Sequence, residues 1–447
     1  MENKMGVLPV KRLIVSISFP MMISMLVQAM YNIVDSIFVA QIEERALTAV
    51  TLAFPMQNLM ISVAAGTGVG INALLSRSLG EKKQDSVDGA ANNGVLVIII
   101  SALAFVFIGL FGAKAFISGQ SADPVIVSYG SSYLGIVSCF AMPLFLQITF
   151  ERLLQSTGRT LLSMVSQITG AVINIIFDPI LIFGYFGFPR LGVTGAAIAT
   201  IFGQSIATCI GIYFNIKHNP EVNLSIKRIF RPKSEYIKPI YMVGVPSMLM
   251  MSIGSVMTYA MNVILGKFSD TATAVFGVYF KLQSFFFMPV FGLNNGLIPV
   301  IAYNFGARKK ERIQEALKFS IVLAVVIMTV GTVLFQLLPT ALLGFFQASD
   351  SMIEIGVPAL RIISLSFPIA GASIMLVSTF QAFSKSMNSL IVSVGRQLVV
   401  LIPAAWLLSL TGNVINVWWA FPIAEVMSFV ISIVLFKRLY NYTIKNL

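Results

Sequence analysis

Residues 54–83 of the chain read FPMQNLMISVAAGTGVGINALLSRSLGEKK, and residues 280–309 read FKLQSFFFMPVFGLNNGLIPVIAYNFGARK. The second stretch is a diverged copy of the first, in a register that carries Phe54 onto Phe280. The identical positions within it are Phe54/Phe280, Gln57/Gln283, Gly66/Gly292, Gly70/Gly296, Gly80/Gly306 and Lys83/Lys309. Outward from it, the same offset pairs, without a gap, Pro20/Pro246, Ala46/Ala272, Gly130/Gly356, Leu134/Leu360, Gln155/Gln381 and Ser163/Ser389. The chain is therefore predicted to consist of two similar halves in tandem.

The composition is typical of a protein that meets lipid. Of the 447 residues, 57% are hydrophobic and only 11% are charged, and the mean hydropathy is +0.88. Apolar runs of about 20 residues or more recur along the whole length, which is enough for a helix to cross a bilayer. Strand-type alternation is absent, and a helix satisfies its own backbone groups in lipid. We therefore predict an all-α polytopic membrane protein.

The apolar runs predict twelve membrane helices, six in each half. They lie near 13–40, 47–75, 91–117, 125–150, 160–186, 193–216, 238–266, 272–302, 317–346, 353–380, 387–411 and 415–437. An even number per half inserts both halves in the same direction, so the repeat is parallel. The predicted lobes are residues 1–216 and 238–447, with a substrate path between them. The polar segment 217–237 joins them, either as a plain linker or with basic residues that bind anionic lipid headgroups.

The basic residues indicate how the chain is oriented. The formal net charge is +12, and the lysines and arginines lie mainly in short gaps between apolar runs. Twenty-three of them fall in one set of alternate loops and only four in the other. The positive-inside rule then predicts that both termini are cytoplasmic. The same pattern argues against nucleic acid as a partner, because the charge sets topology and does not form one binding face.

Several function classes are disfavoured by what the sequence contains. His218 is the single histidine, and Cys139 and Cys209 both lie in apolar runs, so a zinc enzyme is excluded. A membrane-bound enzyme is also disfavoured, because the sequence shows no nucleophile–base constellation. Gly66, Gly68 and Gly70 resemble a nucleotide-binding loop superficially, but no strand precedes them. We interpret them as positions of close helix packing or of hinging.

Ionisable residues at membrane depth are costly and are therefore candidates for function. Asn174 and Asp178 are four residues apart, so they share one face of the fifth predicted helix, and Pro179 frees a backbone carbonyl there. Asp35 lies in the first helix, after Tyr31 and Asn32. A carboxylate, an amide and a freed carbonyl form an oxygen-rich corner that suits Na⁺ or a proton-sharing pair.

Four further charged residues fall in or beside apolar runs. Glu151 is adjacent to Arg152, so it either contributes to a binding site or forms a salt bridge at the end of its helix. Lys281 either faces a cavity of the second half or extends to the membrane interface. Arg396 and Glu425, on the last two predicted helices, are expected to form an ion pair that holds these helices together.

The chain resembles the multidrug and toxin extrusion (MATE) family along essentially its whole length, and in particular its bacterial MepA-like branch. The stretches that carry the resemblance are YNIVDSIFV at 31–39, NIIFDPILIFG at 174–184, GVTGAAIAT at 192–200, PVIAYNFG at 299–306, RQ at 396–397 and AFPIAE at 420–425. The Asn-to-Asp-Pro stretch is the most specific of these.

The resemblance implies a V-shaped pair of six-helix bundles that exports organic cations by alternating access. In the family, an acid on the first helix and an Asn/Asp pair on the fifth build a cation site in the N-terminal lobe; Asp35, Asn174 and Asp178 match these positions. Thr200 is added by its approximate position on the sixth helix. Glu151 matches a glutamate that the MepA-like branch places seven residues before a glycine, here Gly158, and is expected to bind substrate with Tyr31, Asn32 and Lys281.

The leading hypothesis is thus an antiporter in a bacterial plasma membrane that exchanges organic cations for H⁺ or Na⁺. Na⁺, if it is the ion, is expected at Asp35, Asn174 and Asp178. A lipid-linked precursor or polysaccharide flippase of the same superfamily is the alternative, but such proteins tend to line their cavity with basic residues. We expect no cofactor, a monomer, and small cations and lipid as the partners. The candidate charges are all lost in the other half: Asp35 maps to Met261, and Asp178 to Ala404.

Overall fold

The computed structural model describes residues 3–346 and 348–447, apart from the side chain of Glu44. These residues form helices and connecting turns, with no strand among them. The helices are α1 Lys4–Val7, α2 Val10–Ala40, α3 Glu44–Gly80, α4 Gln84–Ser118, α5 Pro124–Cys139, α6 Ala141–Ser156, α7 Thr160–Phe183, α8 Val193–His218, α9 Ile226–Ile229, α10 Ser234–Gly266, α11 Asp270–Gly306, α12 Lys310–Leu337, α13 Pro339–Gly344, α14 Asp350–Ser364, α15 Phe367–Ala382, α16 Ser386–Val394, α17 Ile402–Ser409, α18 Val414–Val417 and α19 Ala420–Tyr442. A π-helical turn, Gly395–Leu401, joins α16 to α17.

The membrane spans agree with the predicted all-α polytopic fold. Ten helical segments in the described part of the chain are long and apolar enough to cross a membrane. Two further pairs, α5 with α6 and α14 with α15, pass the same criteria together but are bent by 49° and 48°. If each bent pair counts as one span, the total is twelve, as the sequence predicts.

The two bends occur at equivalent points of the repeat. The break between α5 and α6 lies at Phe140, and the break between α14 and α15 lies at Leu365–Ser366. The register that pairs Phe54 with Phe280 also carries Phe140 onto Ser366. The repeat has therefore retained a bend in its fourth span, although the residues at the break are not retained.

The chain divides into two compact units whose limits fall inside helices. We call residues Ile23–Met248 the N-terminal unit, and Met1–Met22 with Leu249–Leu447 the C-terminal unit. The limits cut α2 and α10, the first helix of each half, at equivalent points. The lobes predicted from sequence place their boundary in segment 217–237 instead, and that division stays a prediction.

Glycines in each unit accommodate the helix segment that comes from the other half. In the N-terminal unit a Cβ on Gly66 would lie 2.8 Å from the backbone nitrogen of Met248, and one on Gly70 would lie 2.9 Å from the carbonyl carbon of Ile240. In the C-terminal unit, a Cβ on Gly292 would lie 2.5 Å from Met22 Cα. Such spacing leaves no room for a side chain, and it confirms that Gly66 and Gly70 serve close helix packing.

The segment before α10 is docked onto the N-terminal unit by one buried acid. Asp88 accepts hydrogen bonds from the Asn223 backbone at 3.0 Å and from Gln84 at 2.9 Å, and it forms an ion pair with Arg228 at 2.8 Å. Its side chain is only 4% exposed. Asn92 accepts a bond from the Ser225 backbone at 2.9 Å. The linker is thus held along part of its length, and the binding of lipid to its basic residues stays a prediction.

Replacing Asp88 with Ala is expected to release this segment. The change leaves the Asn223 amide, the Gln84 amide and the Arg228 guanidinium without their common acceptor. We expect amide hydrogen exchange across 221–228 to become at least about tenfold faster, as measured by mass spectrometry, because local opening is favoured. Asp85→Ala, at an exposed acid of the same helical turn, is the control. Unchanged exchange in Asp88→Ala would show that Asp88 does not hold the segment.

Candidate cation site

The helix α7 presents a polar face to the interior of the N-terminal unit. Asn174 and Asp178 are 3% and 0% exposed, and both lie on this face because they are one helical turn apart. Pro179 follows within the helix, and α7 ends at Gly184, whose backbone is left-handed with φ of 80°. The sequence therefore forms a helix that continues through the proline and ends just after the two polar residues.

Close packing of α7 on α8 brings Asn174 to Thr200. A Cβ on Gly170 would lie 2.9 Å from the Gly203 carbonyl oxygen, and one on Gly203 would lie 2.6 Å from that of Gly170. At this separation Asn174 Nδ2 donates to Thr200 Oγ1 at 3.2 Å. The Thr200 hydroxyl itself donates to the Ala196 carbonyl at 3.0 Å. The amide nitrogen of Asn174 is thereby satisfied, and its oxygen is left for another group.

The carboxyl groups of Asp35 and Asp178 lie within hydrogen-bonding reach of each other. Two ionised carboxylates repel each other and neither has a proton to donate. Asp35 Oδ1, both carboxylate oxygens of Asp178 and Asn174 Oδ1 are buried and have no hydrogen-bond donor among the described residues. A proton shared by the acids, or a bound cation, would remove the repulsion and satisfy these oxygens.

Two tyrosines border the acid pair. Tyr31 lies close to Thr200 and to Asp35. Tyr133 is 3% exposed, lies near both acids, and accepts a hydrogen bond from Gln57 Nε2 at 3.2 Å. Tyr31 is predicted from the sequence as a site residue, whereas Tyr133 is not. The retained pair Gln57/Gln283 was the available signal, because a buried amide in a membrane helix needs a polar partner.

The donor set can be compared with the needs of each coupling ion. Two carboxylates, one amide oxygen and one hydroxyl are the oxygen ligands that a hard cation such as Na⁺ prefers. The carboxylate contact equally suits one proton shared between two acids. Within the described residues, no group of three or more His, Cys, Asp or Glu could hold a metal ion. Two neighbouring carboxylates together with the Asn174 oxygen suit a single monovalent cation, H⁺ or Na⁺.

The other predicted substrate residues have separate settings. Asn32 is exposed. Glu151 is 6% exposed and accepts from Gln147 Nε2 at 3.0 Å, while Arg152 donates to Gln155 at 2.9 Å. In the C-terminal unit, Lys281 is exposed, with its ammonium group 6.0 Å from the centroid of the Phe346 ring. The roles of these residues in substrate binding stay predictions.

The expected ion pair of the last two spans is present. Arg396 Nη1 lies 2.6 Å from Glu425 Oε1. Arg396 belongs to the π-helical turn and Glu425 to α19, so the pair joins these two segments of the C-terminal unit.

A comparison with known protein families detects the same repeat independently. A family model described as MatE matches residues 20–180 and, a second time, residues 246–407. The chain belongs to the MATE family. The two matched ranges begin at Pro20 and Pro246, which the register of the repeat also pairs. Members of the family are transporters, and this chain is a multi-pass membrane protein of that family.

Two relatives of this MATE protein have names that specify different functions. "Multidrug export protein MepA" of Staphylococcus aureus is 27% identical over 426 residues, which cover 93% of this chain and 91% of the relative. "FAD transporter" of Shewanella oneidensis is 27% identical over 439 residues, covering 96% and 95%. The relatives agree on transport but name different cargo.

A solved structure confirms the fold. A multidrug resistance MATE family transporter of the MOP superfamily superposes with a TM-score of 0.93 at 24% identity, over 100% of this chain and 99% of that one. A MOP superfamily transporter from Pyrococcus furiosus gives 0.92, also at 24% identity. The twelve-span all-α architecture is therefore that of a MATE transporter.

Proposed function

We propose that this MATE protein is a secondary active multidrug antiporter that exports organic cations in exchange for H⁺ or Na⁺. The observation that carries the proposal is the contact between the carboxyl groups of Asp35 and Asp178, whose buried oxygens accept no hydrogen bond from a described residue. A pair of buried acids attracts one positive charge strongly and a second one weakly. Such a pair can therefore bind the inward-moving ion or a cationic drug tightly, but it cannot bind both tightly at the same time.

Exchange follows from this competition. Asp35, Asn174, Asp178 and Thr200 bind the coupling ion, and its binding satisfies the unpaired oxygens. When an organic cation binds, with Tyr31, Asn32, Glu151 and Lys281 as its proposed contacts, the affinity for the ion falls, and by linkage the ion lowers the affinity for the drug equally. The exchange turns into transport if the two ligands favour opposite-facing states.

The proposed orientation places both termini in the cytoplasm of a bacterial cell, with the chain in its plasma membrane. The excess of lysine and arginine in one set of loops supports it. Export is then driven by the inward concentration gradient of the ion. The membrane potential, worth about 2.3 kcal/mol per elementary charge per 100 mV, contributes when more positive charge enters with the ion than leaves with the drug.

Gradient experiments on the purified protein test the function and identify the ion. Two gradients are imposed in turn on proteoliposomes with ethidium as the cargo: an inward H⁺ gradient and an inward Na⁺ gradient. We expect one of the two to drive transport. The gradient of the other ion, matched in size and with the membrane potential clamped, serves as the control. Transport under neither gradient would refute ion-coupled export.

The alternative, a flippase for lipid-linked precursors or polysaccharide, is less well supported. A phosphate cargo would be repelled by the negative charge of Asp35 and Asp178. The FAD transporter relative matches nearly the whole length of this chain, so an anionic cargo is the outcome to look for if cations are not transported. Ethidium and FAD are therefore to be offered to the same proteoliposomes.

A further inference from the structure

The C-terminal unit contains a charged cluster that parallels the cation site of the N-terminal unit. Gln57 of the N-terminal unit bonds to Tyr133 beside the acid pair. Gln283, the repeat partner of Gln57, accepts a hydrogen bond from the Tyr279 hydroxyl at 2.7 Å. Tyr279 in turn lies close to both Arg396 and Glu425. Each unit thus joins its copy of the glutamine, through a tyrosine, to a pair of ionisable side chains.

The Arg396–Glu425 pair is only half satisfied. Glu425 accepts from Arg396 through Oε1, while Oε2 is buried and has no donor among the described residues. The nearby Tyr279 hydroxyl is directed to Gln283 and not to this oxygen. A buried carboxylate is better satisfied by two parallel N–H donors, one for each oxygen. The single bond from Arg396 leaves one of these positions open.

Arg396 is the more easily displaced member of the pair. Its side chain is 29% exposed, against 11% for Glu425. It lies in the π-helical turn Gly395–Leu401, and such turns are frequent at functional sites. Aromatic rings adjoin the pair: Tyr279 packs on Phe280 and on Phe421 with ring centroids 5.8 and 5.9 Å apart, and Phe280 is half-buried. The carboxylate of Glu425 therefore lies close to an aromatic side chain, Tyr279, that packs among other rings.

We propose that Glu425 is a second substrate-binding residue, selective for aromatic amidinium and guanidinium groups, and that Arg396 is the tethered cation that such a substrate displaces. A planar group with two parallel N–H donors binds both carboxylate oxygens, whereas Arg396 binds one. A quaternary ammonium group carries no N–H and cannot replace the lost hydrogen bond. The inference deepens the proposed function, because it names a substrate class within organic cations.

Two small aromatic monocations of similar size test this selectivity. Benzamidinium has the two-donor fork and phenyltrimethylammonium has no donor. We expect benzamidinium to compete with ethidium efflux about tenfold more strongly in the wild type, in line with charge-assisted hydrogen bonds. In Glu425→Gln the ratio is expected to fall to about one, with phenyltrimethylammonium unchanged. In Arg396→Gln benzamidinium is expected to compete more strongly than in the wild type. Glu354→Gln, at an exposed glutamate of the same unit, is the control.

A charge exchange separates recognition from a purely structural ion pair. The double variant Arg396→Glu with Glu425→Arg keeps the pair but moves the carboxylate from α19 to the π-helical turn. We expect it to lose the preference for benzamidinium, and a wild-type ratio in this variant, or equal weakening of both competitors in Glu425→Gln, would overturn the inference. Thermal stabilisation of the purified protein by each compound gives the same ratio without transport. If ethidium efflux is absent while this ratio is as expected, the proposed antiport fails and the binding site stands.

Discussion

Replacing Asp178 with Asn will reduce the extrusion of ethidium to below about 1% of the wild-type rate. Asn has nearly the same shape as Asp but cannot become negative, so Asp35 is left as the single carboxylate of the pair. The pair can then no longer release a proton or Na⁺ in response to a cationic drug, and export loses its driving ion. Because neither oxygen of Asp178 accepts a hydrogen bond from a described residue, the substitution changes only the interaction of Asp178 with Asp35.

The measurement is ethidium efflux from energised vesicles, with the amount of folded protein determined by size-exclusion chromatography. Asp85→Asn makes the same chemical change at an exposed acid, and we expect it to transport at the wild-type rate. If Asp178→Asn also transports at that rate, the acid pair has no part in coupling. A variant that does not fold would be replaced by Asp35→Asn, which we expect to have the same effect on extrusion.

Replacing Gly70 with Val will prevent the N-terminal unit from assembling. A Cβ at this position would overlap the carbonyl group of Ile240, which is rigid backbone. The helix α10 would have to move away from α3 as a whole, and overpacking of this kind costs about 3 kcal/mol or more. Since membrane helices associate largely through close packing, little compensates for the lost contact.

The yield of monodisperse protein after mild detergent extraction measures this effect. Gly277→Val adds the same bulk at a position where a Cβ would meet no atom within 4 Å, and we expect it to be obtained in normal yield. A normal yield for Gly70→Val would mean that the contact between α3 and α10 does not determine the fold. Gly296, the repeat partner of Gly70, provides a second position at which to repeat the comparison, because a Cβ there would lie 2.9 Å from Ser18 Cα.

The sequence predicts the helices well because their cause is local. A long apolar run has to be helical in lipid, and this alone places most spans within a few residues. The bend at Phe140 is missed, although Pro143, three residues later, is a sequence signal for a break or kink in the helix. The pairing of Asn174 with Asp178 follows from helical spacing, but the contact of Asp178 with Asp35 depends on how α2 packs, which spacing along one helix does not contain.

The repeat in the sequence does not show which helices pack together, and the structure does. A fixed offset shows which positions correspond, but not whether a helix packs within its own half or with the other one. Gly66 is predicted to face a closely packed helix, and the partner is Met248 of the second half. Tyr279 likewise cannot be recognised as a site residue from the sequence. It lies beside Arg396 and Glu425 only because three separate segments meet in the folded chain.

The division of α2 and α10 between the units sets an order for assembly during synthesis. The N-terminal unit is complete only after Met248 has been added, and residues as early as Met5 bond to Asn304 and Arg312 of the second half. Contacts between residues so far apart in sequence form late and slowly. The segment around Met5 is therefore synthesised long before the residues that it contacts. Until those residues have been added, lipid or the insertion machinery has to cover its apolar surface.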